Sequence, residues 1–298
     1  MGITEKLKGI PTVYYFNLDC RVDRKEYMES QFHFWEINYK RISNSKYTPK
    51  NYDEWKDKVI LNPKCNNYFR DTFSDDYGEV KHQRYLSDAA TTMTQIETIK
   101  NWVKETSEEY MIIMEDDYDL SMIEYMHFDW EYLMNNIPYD WDVIQFDVSN
   151  RLAIPCFLHP TMDRSATGPL LINREYAKKL IRIHYTTDDK LNLNQRIASY
   201  NWTVNSDDPS LTADYIMSKN GKSYSFPLMY QNPDLGSYGN NVVRKRHHGG
   251  YLEHIKELYH KWWKILRDDY TLEEFFTHGK PNDLILKVDP KFSCDEPE

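Results

Sequence analysis

The residues best suited to chemistry lie in two short polar runs, each directly behind an apolar stretch. The first is Asn17-Leu18-Asp19-Cys20-Arg21-Val22-Asp23-Arg24, which follows Thr12–Phe16. Short polar side chains and two arginines at such a junction can hold the base, ribose and phosphates of a nucleotide. They serve equally as a helix start, with Asp23 capping and the arginines solvated. The second run is Glu115-Asp116-Asp117, with Asp119 two residues on, closing the apolar stretch Tyr110–Met114. Carboxylates this close raise one another's pKa unless a cation neutralises them. Hard divalent ions such as Mn²⁺ or Mg²⁺ favour carboxylate oxygen and bridge naturally to diphosphates. A carboxylate pair such as Asp116 and Asp119 could also act as acid and base in glycoside hydrolysis, and the run could be a solvated acidic loop.

Strands must place both runs, and the chain supplies them. Thr12–Phe16, Tyr39–Ile42, Tyr110–Met114, Val143–Val148 and Pro169–Ile172 read as short apolar strands. Helical spacing follows Asp23 (Tyr27, Met28, Phe32, Trp35), runs from Leu86 to Val103, and recurs over Met122–Asn135, which Pro138 ends. Asn173 is a plausible N-cap for a helix over Arg174–His184, and Leu211–Ser218 reads as a shorter helix before an Asn220-Gly221 turn. Residues 44–83 form a long irregular excursion, of the kind that often carries function. Alternating strand and helix predicts an α/β domain with a mostly parallel sheet, and ligands in such folds bind beyond the carboxyl ends of the strands. From about Asn240 the character changes to a basic loop, Arg244–Gly250, and an amphipathic helix over Tyr251–Asp269, in which Trp262 and Trp263 read as packing residues.

Composition excludes several classes. The 298 residues carry 37 basic and 47 acidic side chains, a net charge of −10, which opposes binding to a polyanion. Mean hydropathy is low at −0.77, yet 15% of residues are aromatic, which disordered chains lack. No apolar run approaches the roughly 20 residues that span a bilayer, and the MGITEKLKGIPT start has no signal-peptide core. Cys20, Cys65, Cys156 and Cys294 show neither disulfide-framework nor zinc spacing, so a cytoplasmic location is expected. Heavy use of Asn, Lys, Tyr, Ile and Asp hints at an AT-rich genome, such as a virus's, which would make that the host cytoplasm.

At this point the motifs carry a resemblance. Tyr14–Arg24 resembles the INLDRRxDR opening of glycosyltransferase family 25, the lipooligosaccharide and collagen galactosyltransferases, and Met111–Leu120 (MIIMEDDYDL) is similar to its ALILEDDV core. Thr94-Gln95 stands where the family has Ser-His, a departure. Trp141–Phe146 resembles its WDLVxL strand, and Gly168–Ile172 with Ala177 and Leu180 resembles a later GxxAYLISRxGAxKLL block. Ala213-Asp214-Tyr215 and Pro227-Leu228 with Gln231 resemble its tail. The ordered series covers roughly residues 12–240; the last 58 residues have no counterpart.

The resemblance implies a GT-A fold, Rossmann-like, over residues 1–240, with residues 241–298 as a basic loop and helical extension packing on it. It implies transfer of a hexose, galactose or glucose, from a UDP-sugar to an acceptor hydroxyl, on a glycan, with inversion. Glu115 and Asp117 would hold Mn²⁺ (or Mg²⁺), with His248 as a candidate late ligand. Asn17, Asp19, Arg21, Arg24, Thr94, Gln95 and Asp116 would face the donor. Asp214 is the candidate base, with Asp208 and Asp207 as competitors. Nucleic acid is not an expected partner, and the C-terminal helix is a candidate homodimer contact. Two alternatives stay open: a transferase acting on modified nucleic acid, for which only Arg244–His248 speaks, and a catalytically inactive sugar-binding relative, which the Thr94-Gln95 departure allows.

Overall fold

A computed structural model describes residues 2–61, 75–147, 153–155, 158–161, 168–193, 213, 216–217, 220–236, 252–266, 271–276 and 285–287. The chain opens with β1 (Val13–Asn17), α1 (Val22–Phe34), β2 (Tyr39–Ser43), a short helix α2 (Tyr52–Trp55) and β3 (Val59–Ile60). Next come the long helix α3 (Asp75–Glu105), β4 (Tyr110–Glu115), β5 (Tyr118–Asp119), α4 (Trp130–Asn136), β6 (Val143–Gln145), β7 (Ala153–Pro155) and β8 (His159–Pro160). The remainder holds β9 (Leu170–Asn173), α5 (Arg174–His184), β10 (Leu191–Asn192), β11 (Ser223–Ser225), β12 (Tyr230–Gln231), α6 (Leu252–Lys261), α7 (Leu272–Phe276) and β13 (Ile285–Lys287).

Seven strands form a central mixed sheet in the order β2-β1-β4-β9-β6-β11-β8. The pairings β1–β2, β1–β4 and β6–β11 are parallel, whereas β9 runs against both β4 and β6, and β8 against β11. The strand expected at Pro169–Ile172 is therefore present but reversed. It is inserted at the centre of a sheet whose other strands, apart from the edge β8, share one direction. Apolar content alone marks a buried strand and carries no information on direction.

Helices cover both faces, so the strands read as continuous apolar runs rather than alternating ones. Val13, Tyr15, Ile112, Met114 and Ile144 point into one core with Met28 and Phe32 of α1. Tyr14, Phe16, Met111, Ile113 and Val143 point into the other, with Ile96, Ile99 and Trp102 of α3 and Tyr176, Ala177 and Leu180 of α5. The two faces differ by one residue in register, as the pleat requires.

Two helix boundaries differ from the periodicity. The apolar spacing over Met122–Asn135 resolves into a 3-10 turn (Ser121–Tyr125) and then α4. Asp129 makes the break, because its carboxylate accepts the Tyr132 amide at 2.8 Å and starts a new helix there. Asp23 does not cap α1; it takes the Arg21 side chain instead, while Asn173 does cap α5, accepting from the Tyr176 amide at 2.7 Å. At the C-terminal side α6 passes into a π-helical turn, Trp262–Leu266, rather than continuing as α-helix. Trp262 and Trp263 are both buried there, and the Trp263 indole donates to the Pro227 carbonyl at 2.7 Å. Among the described residues no helix is long and apolar enough to cross a membrane.

The turn at Asn220-Gly221 feeds β11 into the sheet and has no room for a side chain. A Cβ on Gly221 would lie 2.4 Å from Tyr176 Cε2 and 2.7 Å from Asp142 Cβ. Gly221→Ala is therefore expected to destabilise the protein by about 1–3 kcal/mol, as overpacking does. Equilibrium urea unfolding measures this, and a variant as stable as the parent would contradict the packing described.

Candidate functional site

The carboxyl ends of β1, β2 and β4 lie side by side, because Asn17 pairs with Ser43 and Phe16 with Glu115. This register brings the two polar runs of the sequence together. After Glu115 the chain turns at Asp116-Asp117 and enters β5, which pairs antiparallel with β12. That pairing carries the following segment, Asn232–Gly236, across the acidic turn: the Asn232 amide donates to the Asp117 carbonyl at 2.7 Å.

One face of α1 clamps this arrangement. Arg24, Tyr27 and Gln31 recur at the spacing that places side chains on one helix face. Arg24 Nη1 donates to Asp116 Oδ1 at 2.6 Å and lies 3.1 Å from Asp117 Oδ2, while Nη2 donates to the Gly236 carbonyl. Tyr27 donates to Asp119 at 2.9 Å and accepts from Asn232 Nδ2 at 2.9 Å. Gln31 accepts from the Leu120 amide at 2.8 Å and donates to the Tyr118 carbonyl at 2.9 Å. Gly236 has φ +58° and ψ −174°, a conformation that only glycine adopts readily.

Asn17, at the end of β1, is buried and joins the two runs. Its amide nitrogen donates to Asp116 Oδ2 at 2.6 Å and to the Arg21 carbonyl at 3.0 Å, and its oxygen accepts from Arg41 at 2.9 Å. Arg41 also pairs with Asp19 at 2.5 Å, and Ser43 donates to Asp19 at 2.9 Å. The hydrogen bonds from Arg41 and then Ser43 pull the Asp19 carboxyl below its ordinary range. Arg21 pairs with Asp23 at 2.7 Å and donates to the Leu235 carbonyl at 2.8 Å; its hydrogen bond, before other effects, draws Asp23 down to about 2.

Asp116 and Asp117 are both buried, and they differ in their satisfaction. Both oxygens of Asp116 are hydrogen-bonded, to Arg24 and Asn17. Asp117 Oδ1 is buried with no hydrogen-bond partner among the described residues. Desolvation pushes the Asp117 carboxyl up to about 6, with the negative charge of Asp116 adding to it and Arg24 opposing. Burial works against the Arg24 charge, but Asp117, Asp116 and Glu115 outweigh it and hold its pKa above the ordinary value.

Of the residues expected at a site, Asn17, Asp19, Arg21, Arg24, Asp116 and Asp117 are thus linked in one network, with Glu115 at its edge. Thr94 and Gln95 stand apart on α3, both buried. The Thr94 hydroxyl turns back on the Ala90 carbonyl at 3.0 Å, and Gln95 Oε1 is buried without a partner among the described residues. Asp207, Asp208, Asp214 and His248 lie outside the described residues. Among those described, no three His, Cys, Asp or Glu side chains converge as a ready-made metal cage. Sequence reasoning missed Arg41, Asn232 and Gly236. The Asn-Pro-Asp-Leu-Gly run at 232–236 is a turn signature, but only the β5–β12 pairing shows where that turn goes.

No family model matches the chain, and no curated protein does. Among solved structures it is similar to one described as the crystal structure of A197 from STIV. That likeness has 8% identity and a TM-score of 0.37, over 74% of this chain and 84% of the other. A likeness so remote carries no functional argument.

The Asp117 environment makes a testable statement about stability. Its pKa is higher folded than unfolded, so its contribution is most favourable below the unfolded value and is lost as pH rises through about 6. The ionised carboxylate therefore destabilises the folded protein at pH 8. Asp117→Asn is expected to raise the thermal midpoint of the metal-free protein at pH 8, with the gap narrowing as pH falls from 6 towards 4. An unchanged or lowered midpoint at pH 8 would contradict it.

Proposed function

We propose that the chain is a metal-dependent glycosyltransferase of GT-A type, moving a hexose from a UDP-sugar to an acceptor hydroxyl, on a glycan, with inversion. The observation that carries this reading is the buried Asp117 oxygen without a hydrogen-bond partner among the described residues, just past the carboxyl end of a buried strand, one residue beyond Asp116 and two beyond Glu115. The ordered series of motifs along residues 12–240 supports it.

An oxygen-only donor set suits Mn²⁺ or Mg²⁺, and a buried carboxylate oxygen lacking a hydrogen bond is the kind of atom a cation satisfies. Asp117 and Glu115 would hold the ion, with the donor diphosphate, water and residues such as His248 completing its shell. Bound there, a divalent cation supplies Lewis-acid stabilisation of the charge that grows on the departing UDP.

The other roles belong to this chain's own side chains. Arg21, just before α1, and Arg24, in its first turn, would offer charge to phosphate oxygens, and Asn17 and Asp19 would offer hydrogen-bonding groups to the nucleoside. Asp116, held by Asn17 and Arg24, would fix the shape of the turn and face the donor. Thr94 and Gln95 would contact the ribose or sugar after a rearrangement of α3 side chains. Asp214, or Asp208, would take the proton from the acceptor oxygen as it attacks the anomeric carbon from the face opposite UDP. Galactose and glucose are the favoured donor sugars, distinguished by a few hydrogen bonds to one hydroxyl.

The test is UDP release from a panel of UDP-sugars, with Mn²⁺ and with EDTA. Turnover of one donor is expected with Mn²⁺ alone, falling at least about a hundredfold in Asp117→Ala. Asp214→Ala should abolish transfer while donor binding persists. Turnover unaffected by EDTA, or no Mn²⁺-dependent donor binding, would overturn the reading.

A further inference from the structure

Resting on that reading, we propose that Arg24 is the resident counter-ion of the acidic turn. A divalent cation competes with it for Asp117, and in drawing Arg24 away loosens the Gly236 end of the Asn232–Gly236 segment, which Arg24 holds down.

The position of Arg24 is unfavourable unless the carboxylates hold it there. Arg24 is the third residue of α1, a 13-residue helix, so its cationic head lies by the positive end of the helix dipole. The side chain is only 10% exposed. Its Nε is buried without a partner among the described residues, so the guanidinium is not fully satisfied where it lies. What retains it is Asp116 at 2.6 Å, Asp117 at 3.1 Å and the Gly236 carbonyl.

The same guanidinium therefore performs two tasks. It neutralises the two carboxylates, and through Nη2 it ties down the segment that crosses them. Asp117 uses Oδ2 for Arg24 and keeps Oδ1 free of hydrogen bonds among the described residues. A guanidinium on one oxygen of a carboxylate and a divalent cation on the other repel each other and share one negative charge. A cation arriving alone therefore weakens the hold of Asp117 on Arg24. A cation arriving with a diphosphate gives the displaced guanidinium an anion to pair with, at a helix N-terminus that already favours phosphate. Movement of the guanidinium withdraws the hydrogen bond to Gly236. The N-terminal part of the turn keeps its other anchors, Asn232 to Asp117 and Tyr27, the Asp234 amide to Asn232 Oδ1 at 3.0 Å and the Lys256–Asp234 pair, whereas its C-terminal end keeps only the Arg21 bond to Leu235 and the long bonds from the Leu235 (3.4 Å) and Gly236 (3.3 Å) amides.

The experiment is a Mn²⁺ titration of the full chain without nucleotide, read from the electron paramagnetic resonance of the free ion. Arg24→Gln is expected to bind Mn²⁺ about tenfold more tightly than the parent, because a competing charge has been removed. Arg24→Lys, which keeps the charge, should stay close to the parent. A second reading uses the unaltered protein and covers the case in which Arg24→Gln fails to fold. Saturating Mn²⁺ alone should speed amide hydrogen exchange at Leu235 and Gly236. Parent binding with no gain in Arg24→Gln, or exchange at those amides unchanged or slowed by Mn²⁺, overturns this proposal and leaves the transferase reading standing. Absence of Mn²⁺ binding by parent and variants alike, with UDP present or absent, overturns both.

Discussion

The ion pair between Arg24 and the buried carboxylates of Asp116 and Asp117 is the constraint on which the rest of the site depends. Two adjacent buried acids are untenable in an apolar surrounding without a compensating charge. Arg24 supplies it from the first turn of α1, and Asn17 supplies a further donor from the end of β1. Among the described residues the compensation is incomplete, since one Asp117 oxygen and the Arg24 Nε have no hydrogen-bond partner. A fold selected for stability alone would do better with a satisfied network or an apolar turn. Residual strain of this kind clusters where a ligand completes the arrangement.

The sheet explains how the pair is brought together. Parallel register of β1 with β4 sets Asn17 level with the end of the acidic strand, and β2 adds Arg41 and Ser43 beside it. The small β5–β12 pairing then returns the chain over the turn, so that the Asn232–Gly236 segment becomes a wall of the site. Both cores contribute, since alternate residues of β1 and β4 anchor in opposite layers. Helix α6 and the π-helical turn behind it belong to one of them: Tyr259 donates to the buried Asp147 at 3.1 Å, and Leu252, Ile255 and Trp263 lie in the same cluster as Tyr15 and Met114.

Much of this could be read in the amino-acid sequence, and the remainder could not for physical reasons. The strands Val13–Asn17 and Tyr110–Glu115 are short apolar runs bounded by polar clusters, and local pattern suffices for them. The proximity of Asn17, Arg24 and Asp116 was legible because each lies directly behind one of two strands whose carboxyl ends share an edge of the sheet. The reversed direction of Leu170–Asn173 was not legible, because a strand's direction is set by its connections and not by its composition. Nor was the part played by Arg41, which is one residue of a strand whose pattern gives no hint that its tip reaches Asn17 and Asp19. The split of the helix expected over Met122–Asn135 turned on one capping aspartate, Asp129, whose effect outweighed a persistent apolar spacing.

The central proposal is that Asp117 and its neighbours would hold a divalent cation against a nucleoside diphosphate. Anomalous diffraction from crystals of the protein grown with Mn²⁺ and UDP tests this most directly. The account predicts a manganese peak within coordination distance of Asp117 Oδ1 and of diphosphate oxygens, with Arg24 turned from Asp117 towards the phosphates. Bound UDP with no manganese at Asp117, or manganese elsewhere with Arg24 still paired to both carboxylates, would contradict it.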